Sequence, residues 1–160
     1  MGTATHLGPW LLGTVKDNSG RNIGATLVTQ TATVAFGAMT TSPTAQLLFT
    51  LPAGAKIVRF NLEVTTAISG GSVTNVGVTI GDSGTANKYL TSVNSGTSSA
   101  KVSTATLDAA LVVAQTNNIG TSDVPVYGTF TAAGGNPTAG ATVVTVEYIV
   151  RNSDGTLTNP

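Results

Sequence analysis

Residues 51–69, LPAGAKIVRFNLEVTTAIS, constrain the fold more than any other stretch. Leu51-Pro52-Ala53-Gly54-Ala55 reads as a tight turn. Pro52 presets φ near −65°, and Gly54 can take the positive φ that the third position of a type II turn requires. The residues that follow alternate. Val58, Phe60, Leu62, Val64 and Ile68 share one parity, with Thr66 the only polar interruption, and Arg59, Asn61, Glu63 and Thr65 share the other. Period-two alternation over this length predicts a long strand with one face on a core and one in water. Such a strand needs a second apolar sheet to pack against.

Further alternating runs supply one. Candidate strands lie at 31–36, at 45–51 (Ala45, Leu47, Phe49 and Leu51 inward), at 76–80 (Val76, Val78 and Ile80 inward) and around 89–93. Two more lie at 124–130, where Pro125 suggests an edge strand, and at 142–151, where Val144, Val146, Tyr148 and Val150 oppose Thr145, Glu147 and Arg151. Residues 102–114 are ambiguous. Leu107, Ala110, Leu111 and Ala114 have helical spacing, but the surroundings and Val112-Val113 favour a strand. About eight short strands with turn signals between them predict an all-β, antiparallel sandwich or barrel.

Residues 1–30 differ from the rest. They hold the only Trp and the only His, and the apolar block Leu7-Gly8-Pro9-Trp10-Leu11-Leu12-Gly13-Thr14-Val15 is broken by Pro and Gly. Asp17-Asn18-Ser19-Gly20 is a turn signal. The expected organisation is an extended N-terminal arm with a short hairpin over 1–30, and a β-sandwich domain over 31–160. Trp10 is either an interface anchor, since Trp buries much area and dominates contact energies, or a cover for one end of its own sandwich.

Composition narrows the function. Only 9% of the 160 residues are charged, and formal net charge is zero with 7 basic and 7 acidic groups. No basic run exists to attract phosphate, which argues against nucleic-acid binding. With 41% hydrophobic residues and so few charges, disorder is not expected, and the surface is suited to being covered by partners or copies of itself. Cysteine is absent, which excludes disulfides and thiolate metal sites and leans toward assembly in a reducing cytoplasm. No apolar run reaches the ~20 residues of a membrane span, and no basic-then-apolar secretory signal is visible at the start.

Catalytic readings are weak. Gly81-Asp82-Ser83-Gly84 invites comparison with a serine-nucleophile turn, but a nucleophilic serine needs a base in reach. The one histidine, His6, lies in the arm. A structural turn is the expected role. Calcium at Asp82 or Asp154 lacks a dense oxygen-ligand spacing. Glu63 and Glu147, the candidate carboxylate pair of a glycosidase, sit on outward parities, where cross-strand pairing with Arg59 or Arg151 is expected instead. Nothing calls for a cofactor, and the chain is not expected to be an enzyme. For glycan recognition, Tyr89, Tyr127 and Trp10 are the available aromatics, because Phe49, Phe60, Phe130 and Tyr148 have inward parity.

Leu51-Pro52-Ala53-Gly54-Ala55-Lys56-Ile57-Val58, continuing into Val64-Thr65-Thr66-Ala67-Ile68, resembles the long jelly-roll strand of tailed-bacteriophage virion proteins such as capsid decoration (cement) proteins and head-fibre modules. Val78-Thr79-Ile80-Gly81 with Asp82 to Leu90, and Ala141-Thr142-Val143-Val144-Thr145-Val146-Glu147-Tyr148, fit the same template. Gly8-Pro9-Trp10-Leu11-Leu12-Gly13-Thr14-Val15-Lys16 resembles the start of small phage structural proteins. The resemblance implies a jelly-roll-like sandwich and a non-enzymatic decoration protein, a homotrimer seated on the major capsid protein at the outer face of the virion. Contact with the shell or a neighbouring subunit is expected from Leu7, Pro9, Trp10, Leu11, Leu12 and Val15 of the arm. The alternatives are a phage tail or head-fibre module that binds a receptor or glycan, and a bacterial surface or pilus-like module.

Overall fold

In a computed structural model the described residues are 25–99, 101–103 and 119–151. They form nine strands: β1 (Ala25–Ala35), β2 (Met39–Thr40), β3 (Gln46–Leu51), β4 (Lys56–Ser69), β5 (Asn75–Gly81), β6 (Leu90–Asn94), β7 (Lys101–Ser103), β8 (Val124–Ala133) and β9 (Ala139–Arg151). A single 3-10 turn, Phe36–Ala38, links β1 to β2. Two sheets result. One has the order β1-β9-β4-β7; the other has the order β2-β8-β5-β6, with β3 also paired to β8. All pairings are antiparallel except β2 with β8.

The sheets pack face to face because their inner rows are apolar. Phe60, Leu62 and Val64 of β4 and Val144, Val146 and Tyr148 of β9 meet Val76, Val78 and Ile80 of β5 and Val126 and Phe130 of β8 in one core. Each large side chain removed from water there contributes about 1.5–3 kcal/mol. The all-β antiparallel sandwich is therefore the observed architecture.

Strict alternation fails in two strands. Fourteen residues of β4 run against β9 with register shifts between Ile57 and Arg59, Val64 and Thr66, and Thr66 and Ser69. Each shift is a β-bulge, an extra residue that reverses the in–out sequence. Ile57 is therefore buried, and Val58, expected inward, is 45% exposed. A shift between Leu47 and Phe49 does the same in β3, leaving Leu47, also expected inward, 60% exposed. Leu48 instead turns toward Gly128, where a Cβ would stand 2.7 Å from its Cδ1.

Three other expectations change. β1 takes in residues 25–30, ahead of the expected start at 31, because Val28, Gln30, Ala32 and Val34 continue one inward-tending row against β9. β8 is not an edge strand: it lies between β5 and β3, although the β5 ladder begins only at Tyr127, so Pro125 has a single neighbouring strand. Of the ambiguous segment, Lys101–Ser103 form β7 and residues 104–118 lie outside the described residues.

The turns at the two ends of β4 fix the frame. Ala55 N–H donates to Pro52 O at 3.1 Å, with Gly54 at φ 74°, as the type II reading requires. The 119–123 segment holds this turn, since Gly54 N–H donates to Gly120 O and Ala53 N–H to the Asp123 carboxylate. At the far end, the 70–73 turn interlocks with the 134–138 loop, where Thr138 N–H donates to Ser69 O.

Candidate interaction surface

The 82–88 turn between β5 and β6 is built around Asp82. Its Oδ1 accepts the backbone N–H groups of Gly84 at 2.9 Å and Thr85 at 2.8 Å, and its Oδ2 binds Lys88 Nζ at 2.6 Å. The Lys88 hydrogen bond holds the Asp82 carboxyl below the usual carboxylate range, and Asp82 in turn raises Lys88. The carboxylate is thus engaged in closing the turn, the structural role expected of Gly81-Asp82-Ser83-Gly84. His6 lies outside the described residues. Among the described residues no three of His, Asp and Glu come together as a metal site.

The outer face of the β1-β9-β4 sheet is polar and sparsely charged. In register across it, Thr29, Glu147 and Arg59 form one row and Thr31, Thr145 and Asn61 the next. Arg59 Nη2 lies 2.8 Å from Glu147 Oε1, and Asn61 Nδ2 donates to the same oxygen at 3.3 Å. Glu147 therefore makes the expected cross-strand ion pair. Glu63 faces Val143 and Lys101 in register, not Glu147.

Of the expected aromatic platforms, Tyr89 is ruled out. It is only 1% exposed, and burial pushes its phenol pKa up. It belongs to the core with Leu90 and Ile80. Tyr127 is half-buried on the outer face of β8.

Exposed apolar side chains mark a different place. Leu27 and Phe36 lie on or just after β1, and Leu47 lies on β3. Among the described residues β1 forms the free edge of its sheet, with eleven residues in unbroken register to β9 on its other side. A half-open groove of about 280 Å³ runs between residues 32–35 of β1 and residues 46–48 of β3, with Ala38 at its side. Its lining residues are mainly apolar, Ala32, Val34, Leu47 and Leu48 among them. Sequence reasoning missed it because the bulge that exposes Leu47 leaves no trace in the alternation. The arm residues Leu7, Pro9, Trp10, Leu11, Leu12 and Val15 lie outside the described residues.

No protein-family model matches the chain, and no curated protein matches it. Among solved structures, it is similar to a chain of the cyanophage Pam1 capsid asymmetric unit. The identity is 22%, the match covers 84% of this chain and 91% of that chain, and the TM-score is 0.53. It is also similar, at 21% identity and a TM-score of 0.41, to a chain of the acidic stable capsid structure of Helicobacter pylori bacteriophage KHP30, over 79% of this chain and 93% of that one. The first likeness shows a shared fold.

Proposed function

We propose that this protein is a non-enzymatic virion structural protein that binds the outside of a phage capsid and reinforces contacts between capsomers. The observation that carries the reading is the fold shared with a chain of the Pam1 capsid asymmetric unit over most of both chains. The strand order supports it. β1 with β9, β3 with β8, β4 with β7 and β5 with β6 are nested antiparallel pairs rolled into two sheets, the arrangement of a double-sheet jelly roll. A surface of Thr, Ser and few charges suits many weak footprints repeated over a shell, where avidity comes from symmetry. In this reading the partners are the major capsid protein and two further copies in a homotrimer. The arm ahead of β1 makes the contacts through Leu7, Pro9, Trp10, Leu11, Leu12 and Val15, with residues 25–30 of the expected 1–30 arm belonging to the sandwich. Assembly takes place in the host cytoplasm.

An exposed groove lined by aromatics would favour the tail or head-fibre alternative, and burial of Tyr89 takes away one of the candidate aromatics. Electron micrographs of purified virions labelled for this chain test the proposal. Density on the head lattice is expected, and density confined to the tail would overturn it. Solution mass is the second measurement, with a strict monomer counting against the trimer.

A further inference from the structure

We propose that the free edge of β1, with the groove it forms against β3, receives residues 7–15 of a second copy of this chain as an added strand. The inference rests on the reading above that the arm makes the subunit contact, and it names the surface that the arm meets.

Edge strands are ordinarily protected by charge, proline, bulges or shortness, because their unpaired N–H and C=O groups template another strand. Among the described residues β1 has none of these protections. It is eleven residues long, ATLVTQTATVA, without a charge, a proline or a register shift. Leu27, Phe36 and Leu47 stand exposed along or beside it, where an added strand would cover them. Strand addition supplies affinity through main-chain hydrogen bonds and specificity through alternate side chains in pockets. The groove at residues 32–35 and 46–48 is such a pocket.

The occupant follows from the register. The chain enters β1 at Ala25, and its apolar block lies at residues 7–12. A tight hairpin at residues 17–20 would pair 16 with 21 and set 7–12 beside 25–30. Its own arm would then bring only Gly2-Thr3-Ala4-Thr5 to the groove. An arm from a neighbouring copy has no such constraint and can seat Leu12 there, with Leu11 on the opposite face of the added strand. The nine residues between Val15 and Ala25 let the docked segment end up to ~33 Å from the start of β1 when extended, at ~3.3 Å per residue, which is the reach available between copies. A formal net charge of zero puts no repulsion between the chains.

The absence of cysteine makes the test clean. Full-length protein carrying Leu12→Cys is mixed with full-length, size-tagged protein carrying Leu47→Cys, and a short bifunctional thiol reagent is added. The expected product joins a tagged to an untagged chain. Adding Thr31→Lys and Thr33→Lys to the tagged chain should reduce that product to the level of a control with Ser83→Cys in place of Leu47→Cys. A double variant that closes within one chain at high dilution would overturn the proposal in favour of the chain's own arm. No cross-link in either format would also overturn it, and would leave the shell as the arm's target. Micrographs locating the chain on the capsid are independent of the cross-links, so the two readings fail separately.

Discussion

Arg59 of β4 lies directly opposite Glu147 of β9, its Nη2 2.8 Å from the carboxylate, and it is Val58 that puts it there. Val58 is the extra residue of a bulge. It moves Arg59 into register with Glu147 while Ile57 turns into the core. The pair is unequal, with the Arg59 side chain 49% exposed and that of Glu147 only 14%. A half-solvated guanidinium gains little from such a contact. Arg59→Ala should therefore cost about 0.2–1 kcal/mol, and less in high salt. Urea denaturation at two ionic strengths measures it, and a double-mutant cycle with Glu147→Gln isolates the pairwise part.

The bulge makes opposite forecasts for two neighbours. Val58→Thr should change stability by no more than about 0.5 kcal/mol, as an exposed substitution does. Ile57→Ala should cost about 2–5 kcal/mol, because it opens a cavity beneath β4. Equal effects in thermal unfolding would contradict the register described for this strand.

Gly140 sits at φ 131°, where a Cβ would stand 2.7 Å from Ile68 Cα. Backbone cannot yield as a side chain can. Gly140→Ala should destabilise by at least the ~1–3 kcal/mol of a strained backbone position. Gly128→Ala meets side chains and no backbone, Leu48 Cδ1 at 2.7 Å and the Phe130 ring at 2.9 Å, and should cost less. Melting temperatures of the two variants rank them.

Asp82 gives a dependence on pH. Its folded-state pKa is lowered, first by the Lys88 hydrogen bond. Its contribution is therefore present above the unfolded value of about 3.9 and lost as pH falls through the folded value. Asp82→Ala removes the acceptor for Gly84 and Thr85 N–H and should cost about 1 kcal/mol near neutrality. The gap between the two proteins should narrow as the medium is acidified below about pH 4. Denaturation midpoints between neutral and acidic pH would reveal a gap that stays constant, which is the contrary result.

Thr142 is fully buried on the inner row of β9, and among the described residues its Oγ1 has no hydrogen-bond partner. Valine has nearly the same shape without the hydroxyl. Thr142→Val should raise stability by about 1 kcal/mol, the lower end of the cost of an unsatisfied buried polar group. Calorimetry of the variant checks it.

Where one residue follows another without interruption, the amino-acid sequence determined the structure. Val76, Val78 and Ile80 point inward, as do Val144, Val146 and Tyr148, because period-two alternation is a local property of a strand. The Pro52–Gly54 turn and the Gly81–Gly84 turn were legible for the same reason: backbone freedom and side-chain caps act over three or four residues. Only tertiary structure decided that Val58 and Leu47 face water. A bulge arises where one strand sets two residues against one of its partner, and the register of that partner is not written in the bulged strand. Tyr89 became core and Pro125 entered an interior strand because of what folded over them. That β1 is a sheet edge among the described residues was likewise invisible in the sequence, since neighbours are set by topology.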